Sequence, residues 1–120
     1  MNCIYLMKDE KRDFCLFKVG FTTNLQDRVK QYTTHNPLAE CISFQRTMEV
    51  TERKAEKAFH DEIQKRGYSF VYAVIDNKLT EWFKVYYDDS FYEKLCKKGL
   101  SAFKSGQSRK NYGTYVKCKG

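Results

Sequence analysis

The sequence predicts an α/β fold: a small, three-stranded, mostly antiparallel sheet flanked by helices, ordered β-β-α-β-α, with an extra hairpin and a C-terminal helix. Three observations predict it. Residues 2–7 and 14–19 are short apolar runs of strand type separated by a charged stretch, which is the pattern of a hairpin. Two later stretches carry apolar residues at helical spacing behind residues suited to capping. A second pair of strand-like runs, 68–75 and 79–87, brackets the turn residues Asp76, Asn77 and Lys78.

Taken in order, the second strand ends at Gly20, and Thr22, Thr23 or Asn24 can accept the free N–H groups of a helix start. In that helix Leu25, Arg28, Val29 and Tyr32 share one face. The arginine is the anomaly, because a guanidinium on an inward face is costly unless an anion or acceptors meet it. His35-Asn36-Pro37 stops the helix. Residues 41–50 read as the third strand, with Ile42, Phe44, Arg46 and Met48 on one side and Cys41, Ser43, Gln45 and Thr47 on the other. Thr51 is a suitable N-cap for a helix running to Arg66, stopped by Gly67 and striped by Ala55, Ala58, Phe59 and Ile63. Glu52, Glu56 and His60 recur four apart along the edge of that stripe. Asp88, Asp89 and Ser90 cap a last helix with Phe91, Leu95 and Leu100 inward. Tyr112-Gly113-Thr114-Tyr115-Val116 can add a short strand in the final, Gly-, Ser- and Lys-rich stretch.

A chain of 120 residues with 42% hydrophobic residues suits one folded domain with a modest core. Residues 1–100 are expected to form it, with 101–120 as a basic extension. No apolar run approaches a membrane span, and the N-terminus lacks the shape of a signal peptide. The expectation is a cytoplasmic protein, in the host-cell cytoplasm if the source is a phage or virus. Five scattered cysteines without a C-x-x-C pair argue for free thiols, against both a disulfide scaffold and zinc. The net charge of +7 is uneven: residues 94–120 carry +8 and no acid, leaving −1 for residues 1–93. Lys104, Arg109, Lys110, Lys117 and Lys119 are therefore candidate nucleic-acid contacts. The plainer reading is a solvated tail.

The order Ile4-Tyr5-Leu6, Lys18-Val19-Gly20, Thr22-x-Asn24-Leu25-x-x-Arg28 resembles the signature of the GIY-YIG endonuclease superfamily. It is most similar to the phage and large-DNA-virus branch, whose second triplet reads Lys-Ile/Val-Gly. Glu56-x-x-x-His60 and Glu81-Trp82-Phe83 are similar to further landmarks of that branch. The resemblance covers residues 3–85, and its specificity lies in the order and spacing of short motifs. Cys3 stands in place of the first glycine and Lys18 in place of the second tyrosine. Residues 68–78 look like an insertion.

The resemblance implies a metal-dependent DNA endonuclease. Tyr5 would be the general base, and Lys18 the cation that makes its phenolate accessible. Arg28 would hold the scissile phosphate, Glu56 would ligate one Mg²⁺ (or Mn²⁺), and His60 would assist. Tyr32 shares the face of Arg28 as a hydrogen-bond donor or a core residue, and Glu81 is the residue of its triplet able to approach the site. The implied partner is DNA, with RNA left open, acted on by a monomer or weak dimer. Each side chain also has a plain structural reading: a strand aromatic, a solvated lysine, an Arg–Glu pair, one charge on a charged helix. The alternative function is a catalytically inactive module of the same fold that binds nucleic acid or inhibits a protein partner. Convergence of Tyr5, Lys18, Arg28 and Glu56 on one cleft is the feature that separates these readings.

Overall fold

The computed structural model describes residues 2–46, 52–103 and 115–116. Its elements are β1 (Cys3–Glu10), β2 (Phe14–Thr22), α1 (Leu25–His35), β3 (Glu40–Arg46), α2 (Glu52–Lys65), β4 (Phe70–Tyr72), β5 (Leu79–Tyr86), α3 (Ser90–Lys98), a 3-10 turn (Gly99–Phe103) and β6 (Tyr115–Val116). The expected Thr51 cap and residues 47–50 of the expected third strand lie outside the described residues, as do Lys104, Arg109, Lys110, Lys117 and Lys119.

The fold is α/β, but the sheet is larger than three strands. Five antiparallel strands run in the order β4-β5-β2-β1-β3, and β6 extends the β3 edge. The hairpin expected as a separate addition is part of the main sheet, because β5 pairs with β2 from Phe14↔Tyr86 to Lys18↔Trp82. The cause is apolar. Phe83 and Val85 alternate in register with Phe17 and Cys15 and enter the same core, and the Phe17 and Phe83 rings stack at 5.9 Å between centroids. Truncating either phenylalanine to alanine would cost about 3–5 kcal/mol. The strand expected over 68–75 shortens to Phe70–Tyr72, since Ala73 N–H bonds the Lys78 carbonyl and closes a turn that leaves Val74 and Ile75 fully exposed.

The sheet is covered on both faces. Phe59 and Ile63 of α2, Phe91 and Leu95 of α3, and Leu100, Ala102 and Phe103 pack against Ile4, Leu6, Phe17, Val19, Phe83 and Val85. Ala58, expected in the α2 stripe, is exposed. On the other face Leu25, Val29 and Tyr32 of α1 lie over Cys3, Tyr5, Met7, Cys41, Phe44 and Trp82. The expected alternation of β3 fails at one point. A bulge opposite Leu6 and Met7 shifts the pairing from Leu6↔Ser43 to Met7↔Cys41, so Cys41 joins Phe44 on the α1 face. One extra residue in a strand reverses the side-chain period beyond it.

The helix ends follow local chemistry. The Asn24 side chain caps α1 by accepting from Asp27 N–H at 3.2 Å, and Thr22 Oγ1 accepts from Asn24 N–H at 3.1 Å. The Asp89 side chain caps α3 through Phe91 N–H at 2.8 Å. After α2, Gly67 takes a φ of +91°, a left-handed conformation that glycine adopts without a side-chain penalty. Among the described residues, Cys3, Cys15, Cys41 and Cys96 are thiols outside any disulfide, the first three buried. No helix among the described residues is long and apolar enough to cross a membrane.

Candidate active site

The site forms where β5 parts from β2. The β2–β5 register runs only as far as Lys18↔Trp82. Just beyond it the Val19 carbonyl is met by His60 Nε2 from α2, at 2.9 Å. The gap lets side chains from the two faces of the sheet approach each other.

On the α1 side Tyr5 is wholly buried, directly opposite Gly20 in the β1–β2 ladder. A Cβ on Gly20 would run into the Tyr5 hydroxyl and the ring carbon that bears it. The third residue of the second triplet is thus glycine because the phenol lies across it. The Tyr5 hydroxyl is 2.9 Å from the Tyr32 hydroxyl. Burial, then the Tyr32 hydrogen bond, raises the Tyr5 pKa well above the ordinary phenol value, and Arg28 opposes that rise. Arg28, one turn before Tyr32 on α1, lies near enough to act electrostatically on both phenols. Its pKa is raised even though desolvation, the largest influence, acts to lower it, because the neighbouring Tyr32 and Tyr5 together outweigh burial.

The Lys18 ammonium stands 4.8 Å from the centre of the Tyr32 ring and forms an ion pair with Glu81 at 3.3 Å. Lys18 therefore works on Tyr32 and Glu81, while the cation set against Tyr5 is Arg28. Trp82 meets Tyr32 edge-on at 5.9 Å and fixes the outer phenol between lysine and indole.

On the α2 side Glu56 and His60 lie one helical turn apart, and β5 brings in Glu81. One ligand atom from each of the three lies within 4.8 Å of the others. Two oxygens on one cation, each at about 2.2 Å, can stand at most about 4.4 Å apart. A small side-chain rotation would bring the three donors onto one ion. Two carboxylates and an imidazole are also the right donor chemistry for a divalent metal. The residues present thus fit a metal at Glu56.

The structure accordingly joins the site residues in a chain. Tyr5 and Arg28 meet at Tyr32, Tyr32 lies under Lys18, and Lys18 pairs with Glu81, which faces Glu56 and His60. Two links in it, Tyr32 and Glu81, were expected only as neighbours of the site, Tyr32 as a hydrogen-bond donor or core residue and Glu81 as able to approach it. The signals were present: Tyr32 is i+4 from Arg28, and Glu81 precedes the tryptophan of its triplet.

A family model, the T5orf172 domain, matches residues 2–98. The chain belongs to the T5orf172 domain family. That match spans every element that builds the site, from β1 to α3. The T5orf172 domain is phage-associated and stands in a nuclease context, consistent with a nuclease-like or DNA-binding function. No curated protein and no solved structure matches the chain.

Proposed function

We propose that this T5orf172 domain is a metal-dependent DNA endonuclease of GIY-YIG type. The observation that carries the reading is the succession of neighbouring side chains from Tyr5 and Arg28 through Tyr32, Lys18 and Glu81 to Glu56 and His60. Phosphodiester hydrolysis needs a proton acceptor for water, positive charge around the phosphate and help for the leaving oxygen.

Tyr5 is the general base, with Tyr32 as the outer member of a hydrogen-bonded phenol pair. When the pair has lost one proton, the negative charge is shared across the 2.9 Å contact and faces the Arg28 guanidinium. The ionised pair takes a proton from water as that oxygen bonds to phosphorus, and the bond from phosphorus to the leaving oxygen breaks. Arg28 holds a non-bridging phosphate oxygen and the charge that grows on it. Lys18 adds a second cation at the cleft. Glu56 would hold the metal, which would supply positive charge at the reacting phosphate. The Val19 carbonyl fixes the His60 imidazole beside Glu56, where it assists the site. The basic residues Lys104, Arg109, Lys110, Lys117 and Lys119 add uniform affinity for DNA.

A second reading, a silent nucleic-acid-binding module, is favoured by one observation: Tyr5 is completely buried and its ionisation opposed. Supercoiled plasmid separates the two. The nuclease reading expects nicked or linear product with Mg²⁺ or Mn²⁺, none in chelator, and none from Glu56→Ala with DNA binding retained. A folded wild-type protein that binds DNA and leaves it intact under all these conditions establishes the silent module.

A further inference from the structure

We propose that Glu56, His60 and Glu81 together form a preassembled three-ligand centre for a first-row transition cation such as Mn²⁺, which binds before DNA does. The proposal deepens the reading of Glu56 as a metal residue and rests on that assignment. A single carboxylate would suit Mg²⁺, which keeps several waters and completes its shell with substrate phosphates. The structure offers more than that.

The first point is proximity across two elements of chain: two residues of α2 and one of β5 place their donors within 4.8 Å. The second is the state of the imidazole. A carbonyl oxygen can only accept, so the 2.9 Å contact between His60 Nε2 and the Val19 carbonyl requires the proton on Nε2. A neutral ring with that proton carries its lone pair on Nδ1, which is the nitrogen that would ligate. A metal-ligating histidine ordinarily donates its other ring N–H to a carbonyl or carboxylate, which fixes tautomer and orientation. The edge-on packing of Phe70, at 5.4 Å, holds the ring from the side. The third point is charge. Two carboxylates balance a divalent cation without any contribution from a phosphate. The Lys18 ammonium meets Glu81 at Oε2, 3.3 Å away, and an ionised carboxylate has two oxygens and so can serve a cation and an ammonium together.

Imidazole is a ligand for transition cations, whereas Mg²⁺ prefers an all-oxygen shell. The predicted centre therefore takes Mn²⁺ in preference to Mg²⁺.

The test is Mn²⁺ binding by the full-length protein without DNA, followed by calorimetry and by electron paramagnetic resonance. One Mn²⁺ per chain is expected, with Mg²⁺ competing at least about tenfold more weakly. Pulsed resonance should show coupling to an imidazole nitrogen that disappears in His60→Ala. Glu81→Gln, a change on an exposed strand position, and His60→Ala should each weaken Mn²⁺ by at least about tenfold. Thermal unfolding of the metal-free variants checks that both fold. The proposal is overturned by absence of Mn²⁺ binding without DNA, or by binding that depends on Glu56 and ignores both other variants. The latter outcome with plasmid cleavage intact leaves the nuclease reading standing. Three-ligand binding without any cleavage leaves this centre standing and removes the nuclease.

Discussion

Gly20 lies opposite Tyr5 across the β1–β2 ladder, and the phenol occupies the space that a side chain at Gly20 would fill. A single methyl there must push the Tyr5 ring away from Tyr32 or spread the strands. Gly20→Ala is expected to destabilise the fold by about 1–3 kcal/mol, the usual cost of overpacking a tight core. Cleavage should fall further than stability does, because the displaced hydroxyl loses its 2.9 Å partner. Chemical denaturation and a single-turnover rate measure the two effects. An alanine variant with full stability and full rate would show that the phenol has room to spare.

The Tyr5–Tyr32 pair predicts non-additive kinetics. Tyr5→Phe and Tyr32→Phe each remove one oxygen and keep the ring, so each variant should fold. Each should lose about 10²–10⁴-fold in rate, the range for a general base. Groups that act as a unit are lost together, so the double variant should be no slower than the worse single. Multiplying losses would mean two independent roles.

The pH dependence follows from the same contact. Because Tyr5 is held above the ordinary phenol range by burial and by Tyr32, its base form is scarce at neutrality and grows as pH rises. The log of the single-turnover rate should therefore climb through neutral into alkaline pH without an early plateau. Arg28→Met removes the opposing influence and should push the climb to still higher pH. Lys18→Met should change affinity and rate more than profile, since its ammonium lies over Tyr32 and on Glu81. A profile that flattens below neutral would exclude a phenol as the base.

Much of this arrangement was legible in the sequence. The strand–strand–helix order, the Asn24 cap and the shared face of Arg28 and Tyr32 follow from period and local capping, which depend on near neighbours in the chain. Strand pairing does not. Nothing in residues 79–86 states that β5 will take the open edge of β2 rather than stand apart, because that choice is made by Phe17 meeting Phe83. The bulge opposite Leu6 and Met7 was equally invisible, and with it the face of Cys41. Glu81 could be flagged near the site, but its place between Lys18 and Glu56 depends on where the β2–β5 ladder ends.

Alkaline stability carries a sign that can be worked out. Burial is the first cause that lifts Tyr5, Tyr68 and Tyr92, aided by the neighbouring Tyr32, Asp89 and Cys96 respectively. Burial likewise pushes the Cys15 thiol up to about 12. Each group keeps its proton in the folded state at a pH where the unfolded chain loses it, so folding is favoured fully at lower pH and progressively less as pH rises. Decline should begin near the unfolded thiol value of about 8.5 and steepen above about 10, where free phenols ionise. Denaturation midpoints at stepped pH, with phenolate absorbance followed in parallel, measure it. All tyrosines ionising near 10 with the fold intact would contradict these shifts.

The last prediction separates affinity from chemistry. Leu100, Ala102 and Phe103 are buried in the core with α2 and α3, so the basic extension can be removed only beyond Phe103. Truncation there deletes Lys104, Arg109, Lys110, Lys117 and Lys119. It also deletes β6, which pairs with Phe44 and Gln45 at the β3 edge. A full-length variant with those five residues changed to glutamine removes the charge alone and serves as the companion. Each lost phosphate contact should lower the slope of log affinity against log salt by about 0.9 on duplex DNA. Both proteins should bind DNA more weakly at moderate salt, yet cleave at the wild-type rate when DNA is saturating, because uniform binding affects KM and not the chemical step. An unchanged salt slope in the glutamine variant would reduce the tail to a solubiliser. A folded truncation that stays inactive at saturating DNA, beside an active glutamine variant, would instead place the 104–120 backbone within the working site.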